Sequence, residues 1–248
     1  MSDLKGKTAI VVGASRGLGR GVAIAFASAG AQVVAVARNA AALADLAGTG
    51  LPIQPEVADA SDATVAGKLL ERYEPDTVLL VAGANPLSRP LHLHTWETFS
   101  VNWHTDVRIA FGWLREALLQ PLRPGSRIIV MSSGAGLAGS PLSGGYAGAK
   151  ATQRFIAGYA QEESRRAGLG ITVTAVLPKL TPATELGLDG ARAYAARSGQ
   201  TEEEYRKQLG EPLTPEIAGA ALVDLVLADP ETAAAAYLLT SEGLQPLP

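Results

Sequence analysis

The sequence predicts an α/β fold, a doubly wound parallel sheet of about seven strands with helices on both faces. Three observations predict it. Short β-branched runs alternate with longer Ala- and Leu-rich stretches along the 248 residues. Several short runs are apolar at consecutive positions, as parallel strands covered on both faces require. No repeat, low-complexity stretch or linker interrupts the alternation, so a single domain over residues 1–248 is expected.

The strand candidates, in order, are Thr8–Val12, Gln32–Ala37, Leu51–Val57, Thr77–Val81, Ser126–Met131, Ile171–Leu177 and Ala236–Thr240. Right-handed crossovers through the intervening helical patterns would order them into one sheet. Phe99, Trp103, Val107, Ala110, Leu114 and Ala117 recur every three or four residues and predict one buried helical stripe. Thr214-Pro215-Glu216 reads as a helix start, with a cap, a proline in the first turn and an acid at the positive end. Lys179–Pro212 is the irregular part, with a short helix expected at Ala191–Arg197 or Glu202–Leu209. Such a segment is either a flap beside a site or a surface excursion.

Composition excludes several function classes. Apolar residues make up 47% of the chain, as in globular proteins. The net charge of -3 comes from both signs spread along the sequence, with no basic patch for nucleic acid. There is no cysteine, hence no disulfide framework or thiolate chemistry. No apolar run approaches the roughly 20 residues of a membrane helix. The start, MSDLKGKTAI, lacks the basic and apolar regions of a signal peptide, so a cytoplasmic location is expected.

The stretch TAIVVGASRGLGRG runs from strand through a glycine turn into a helix. Gly13, Gly17 and Gly19, with Ser15, Arg16 and Leu18 between them, follow the first strand. Glycine permits positive φ and close approach of a phosphate, and the helix start offers free N–H groups to a pyrophosphate. A tight turn alone needs the same residues, but the βαβ context favours dinucleotide binding. The second strand ends in Ala37-Arg38, with no acid for ribose hydroxyls. Arg16 and Arg38 suit a 2′-phosphate instead, so NADP(H) is expected over NAD(H).

With these motifs the chain resembles the short-chain dehydrogenase/reductase family, of Rossmann-type fold. The resemblance runs through Gly13-x-x-x-Gly17-x-Gly19, Asp59 after the third strand, Asn102 in SVNWH, Ser133 in IIVMSSGAG and Tyr146-x-x-x-Lys150. It implies a catalytic set of Asn102, Ser133, Tyr146 and Lys150. Tyr146 would exchange a proton with the substrate oxygen; its ordinary pKa of about 10 would be lowered by a nearby ammonium. Lys150 lies one turn on, on the same face, and would also bind the nicotinamide ribose. Ser133 would hydrogen-bond the substrate oxygen, the spacing favouring it over Ser132. Asn102 would hold a water that relays protons to the lysine. Asp59 would meet the adenine amino group, or else serve as a turn residue or cap. The resemblance further implies a small carbonyl or alcohol substrate, and a homodimer or homotetramer built on the helices at 99–120 and 146–167. Ala147, Ala151, Ala157 and Ala160 suit either such a contact or core packing.

Three departures stand out. Leu80-Val81-Ala82-Gly83 replaces the family's Asn-Asn-Ala-Gly, keeping the Ala82-Gly83 pair against which a cofactor would lie. Packing is expected to replace the lost polar bonds. Pro178-Lys179 replaces Pro-Gly, and Lys179 either charges the cofactor site or faces solvent. YLLTSEGLQPLP lacks the paired glycines usual after the last strand. His92, His94 and His104 have no acid cluster beside them, so no metal is expected. Trp96, Trp103 and Trp113 are expected to pack. An oxidoreductase is the leading reading; a silent NADP(H)-binding module and an epimerase or dehydratase on the same fold are the rivals.

Overall fold

The structure, a computed structural model, describes residues 4–248. The sheet is built on β1 (Thr8–Val12), β2 (Gln32–Ala37), β3 (Ile53–Val57), β4 (Thr77–Leu80), β5 (Arg127–Met131), β6 (Thr172–Pro178), β7 (Ala236–Thr240) and β8 (Gly243–Leu247). Their spatial order is β3-β2-β1-β4-β5-β6-β7-β8. The first seven are mutually parallel, and β8 runs antiparallel to β7. The order reverses between β1 and β4, so their carboxyl ends flank the crevice where such sheets bind ligands.

Strand burial explains the consecutive apolar positions. Ala9 and Val11 of β1 join one core, while Ile10 and Val12 join the core on the opposite face. The first core is covered by α1 (Gly17–Ser28), α2 (Ala40–Ala47) and α10 (Pro215–Leu227). The second is covered by α3 (Ala63–Tyr73), α5 (Arg108–Leu119) and α7 (Tyr146–Arg166). Thr214 caps α10 by accepting from the Ile217 N–H, and Pro215 occupies its first turn.

β8 was not among the sequence candidates. Gly-Leu-Gln-Pro-Leu has weak strand character, and its proline is tolerated because β8 is an edge strand. The segment expected to be irregular carries two helices, α8 (Glu185–Ser198) and α9 (Glu202–Leu209), so both alternatives there form. Threonine caps both: Thr184 accepts from the Gly187 N–H and Thr201 from the Glu204 N–H.

The predicted stripe from Phe99 to Ala117 is broken. α4 (Trp96–Asn102) passes into a π-helical turn, Trp103–Val107, before α5. The turn holds one more residue than an α turn, so the inward face changes phase. Trp103 is 40% exposed and Trp96 69%, whereas Trp113 is buried. Of the three tryptophans expected to pack, only Trp113 is buried; Trp96 stacks on Phe99 and Trp103 lies over Gly145 and Gly148, each partly exposed. Asn102 and Asp106 take the inward positions instead.

Candidate active site

The glycine loop joins β1 to α1 at the crevice. A Cβ on Gly13 would lie 2.6 Å from Ala82 N, and one on Gly19 would lie 2.1 Å from Gly13 O. The loop and the Ala82–Gly83 turn thus meet backbone to backbone, with no room for side chains. At the N-terminus of α1, Arg16 makes no side-chain cap, unlike the capping residues of α2, α3, α4, α8, α9 and α10. The Gly17, Leu18 and Gly19 end is left as a helix terminus without a side-chain acceptor, which fits a pyrophosphate.

The two arginines differ. Arg16 is held 2.6 Å from Glu185 Oε2 and donates to Asn85 Oδ1 at 3.2 Å, linking the loop to the start of α8 and the segment after β4. Arg38 is exposed just beyond β2, with its charge acting on Asp59. Asp59 Oδ1 accepts from the Ser61 N–H and hydroxyl, a turn geometry. Those bonds, then Arg38, hold its carboxyl below the usual range.

At the end of β5 the two serines part. Ser132 is buried and its hydroxyl donates to Lys150 O at 2.6 Å. Ser133 is half-buried; its Oγ accepts from the Ala135 N–H, at the start of α6 (Ala135–Ala138). Gly134 N–H bonds to Pro178 O, so this turn also abuts the end of β6. Lys179 is exposed and lines a cleft of about 450 Å³ with Leu180, Leu213, Leu238 and Glu242, between the α8–α9 segment and the β7–β8 hairpin.

Tyr146 is the first residue of α7, and Lys150 Nζ lies 5.5 Å from its ring centre. Lys150 is buried, with a side-chain exposure of 6%, and three acceptors surround its ammonium. Gln153 Oε1 is at 2.9 Å, Met131 O at 3.3 Å and Asp106 Oδ2 at 3.0 Å. The last is an ion pair rather than an aligned hydrogen bond. Burial disfavours the ammonium, but the charges of Asp106 and Tyr146 outweigh it, holding Lys150 above its ordinary pKa.

Asp106, with side-chain exposure of 0%, ties the region together. Its Oδ1 accepts the Ala84 N–H at 2.8 Å and the Asn102 amide at 3.3 Å. Its backbone carbonyl accepts from Gln153 Nε2 at 3.0 Å. Asn102 also donates to Ala84 O at 2.7 Å, and its Oδ1 is buried without a protein donor among the described residues. A Cβ on Gly83 would lie 2.7 Å from Asp106 Oδ2, so only glycine leaves the carboxylate its place. At the positions of the lost asparagines packing does take over, with Leu80 buried in the second core and Val81 against the first; Asp106 and Asn102 add polar bonds a few residues on, at Ala84.

Sequence reading missed Asp106 and Gln153. Their signal was present: an acid four residues after Asn102, and an amide three after Lys150, each on the inward face of its helix. The apolar stripe through Phe99, Trp103 and Val107, read as the inward face, hid the first. His94 Nε2 donates to Arg89 O, its Nδ1 pairs with Thr98 Oγ1, and the ring packs against Gly144 beside Tyr146. Ala157 and Ala160 pack in the second core, whereas Phe111, Phe155 and Tyr159 are exposed on α5 and α7. No helix among the described residues is long and apolar enough to cross a membrane.

Residues 7–192 match the family described as short chain dehydrogenase. The Hydroxynaphthalene reductase-like protein Arp2 of Metarhizium majus is 30% identical over 187 residues, covering 71% of this chain and 68% of that protein. An uncharacterized short-chain type dehydrogenase/reductase, y4eK, of Sinorhizobium fredii is 32% identical over 191 residues, covering 75% and 76%. Among solved structures, a dehydrogenase/reductase from Sinorhizobium meliloti superposes with a TM-score of 0.76 at 27% identity, covering 95% of this chain and 93% of that one.

Proposed function

Because the chain belongs to the short-chain dehydrogenase family, we propose that it is an NADP(H)-dependent oxidoreductase that reduces a small carbonyl substrate to an alcohol. The observation that carries this reading is Tyr146 at the start of α7 with the charged Lys150 one turn behind it. Gly13, Gly17 and Gly19 at the α1 terminus would hold the dinucleotide, which would supply the hydride when bound. Tyr146 gives its phenolic proton to the substrate oxygen, and Ser133 donates a hydrogen bond to the same oxygen. Ser132 is already committed to Lys150 O, which leaves Ser133 for this role. Lys150, with its ammonium 5.5 Å from the phenol ring centre, belongs to the buried polar cluster through Asp106, which also holds Asn102.

The absence of an acid after β2 and the exposed Arg38 support NADP(H) over NAD(H). The reductive direction is supported by the name of the Metarhizium relative. In this reading residues 179–212 form the substrate flap of a single domain, tied back by Arg16–Glu185 and by the Ser140–Tyr194 hydroxyl pair. The exposed aromatics of α5 and α7 support a homodimer or homotetramer through those helices.

Ketones, quinones and 3-oxoacyl thioesters screened against NADPH and NADH test this reading. Oxidation of NADPH with at least one class is the expected result. NADPH binding without oxidation of any would favour a second reading, a silent binding module. The observation behind that alternative is that Lys150 already has three protein acceptors around it.

A further inference from the structure

Lys150 is enclosed by protein acceptors. Its ammonium faces a carboxylate, an amide oxygen and a main-chain carbonyl, on three different elements. The carboxylate is the unusual partner. A buried, unpaired charge costs several kcal/mol, so an acid survives there only with its own set of donors. Asp106 has them: the Ala84 N–H, the Asn102 amide and the Lys150 ammonium. The Gly83–Ala84 turn it holds follows closely on Leu80-Val81, where the family's asparagines are replaced.

We infer that Asp106 is a positioning residue of the reaction: it keeps Lys150 charged and immobile behind Tyr146, and locks both to the Gly83–Ala84 turn. This rests on the reductase reading for its functional half alone. Of the titratable groups on the elements around α7, Asp106 and Tyr146 are those whose charge acts on Lys150. Glu97 of α4, His104 of the π turn and Arg108 of α5 are exposed, and His94 is bonded to Thr98 and Arg89. Asp106 lies beyond the ammonium as the residue whose charge offsets burial. Without it, desolvation sets the state of Lys150, and the amine loses its proton at lower pH.

The first experiment needs no turnover. NMR of isotope-labelled lysine side chains in the full chain should show one ammonium that persists above the ordinary lysine value of about 10.4. In Asp106→Asn, an isosteric change that keeps an acceptor for the Ala84 N–H, that titration should fall by about one pH unit or more. The second experiment is the pH profile of kcat/KM for reduction. In Asp106→Asn its falling limb should move to lower pH by a similar amount. A falling limb that stays put or moves to higher pH overturns the inference, as does a wild-type Lys150 that titrates at or below the ordinary value. The wild-type titration decides the matter even if Asp106→Asn does not fold. A persistent ammonium in a protein with no turnover would defeat the reductase reading and leave the ion-pair assignment standing.

Discussion

Two charge pairs frame the site, and their surroundings set them apart more than their lengths. Arg16–Glu185 closes to 2.6 Å, but its side chains are 59% and 67% exposed. Lys150–Asp106 is longer, at 3.0 Å, and almost wholly buried. Water and salt screen the first, so it contributes at most about 1 kcal/mol. Breaking the second by removing one partner costs about 3–5 kcal/mol, because the remaining charge is stranded. The shorter bridge is therefore the weaker one. The interior pair is fixed scaffolding behind Tyr146, and the exposed pair opens at little cost.

The largest effect expected on this comparison is at Asp106. Asp106→Ala should lose about 3–5 kcal/mol in urea unfolding. The Asp106→Leu/Lys150→Met pair should be more stable than either single change, since it strands no charge. A double variant as unstable as the worse single would mean that packing, not charge, sets the cost.

Next comes Gly83→Ala. The new Cβ would meet Asp106 Oδ2 at 2.7 Å, and the short buried carboxylate has little room to retreat. A loss of about 1–3 kcal/mol is expected, measured by thermal unfolding. An unchanged Tm would show that the turn gives way easily.

A pH series sharpens the same contrast. The folded state holds the Lys150 proton more tightly than the unfolded chain does. Its contribution is thus complete below the unfolded value of about 10.4, and is lost as pH rises through the higher folded value. Urea unfolding should show an alkaline loss of stability that is smaller in the double variant. Equal losses in both proteins would contradict the assignment.

The smallest effect is expected at the mouth. Glu185→Gln should change stability by less than about 1 kcal/mol, and half-molar salt should erase the difference. A larger, salt-insensitive change would make the two pairs alike.

Much of this architecture was legible in the sequence. Apolar runs such as Ile10–Val12 report burial on both faces, and Thr214-Pro215-Glu216 announces its helix through local capping chemistry. Gly13 and Gly19 could be read because steric demand at a backbone crossing leaves few alternatives. What escaped depends on tertiary context. β8 forms because β7 offers it an edge, not because Gly-Leu-Gln-Pro-Leu favours strands. Asp106 escaped because an apolar stripe through Phe99, Trp103 and Val107 reads as the inward face, whereas the polar pair Asn102 and Asp106 is the one buried. Arg16 reads as a phosphate ligand, but its partner Glu185 is 169 residues away in the chain.

The central claim is that Tyr146 is the acid and the buried cluster its support. Tyr146→Phe removes one hydroxyl and leaves Lys150, Asp106 and the glycine loop in place. Turnover of the best carbonyl substrate should fall by about 10²–10⁴-fold or more, while NADPH affinity from fluorescence titration stays unchanged. A Phe variant that still reduces its substrate at the wild-type rate would contradict the account.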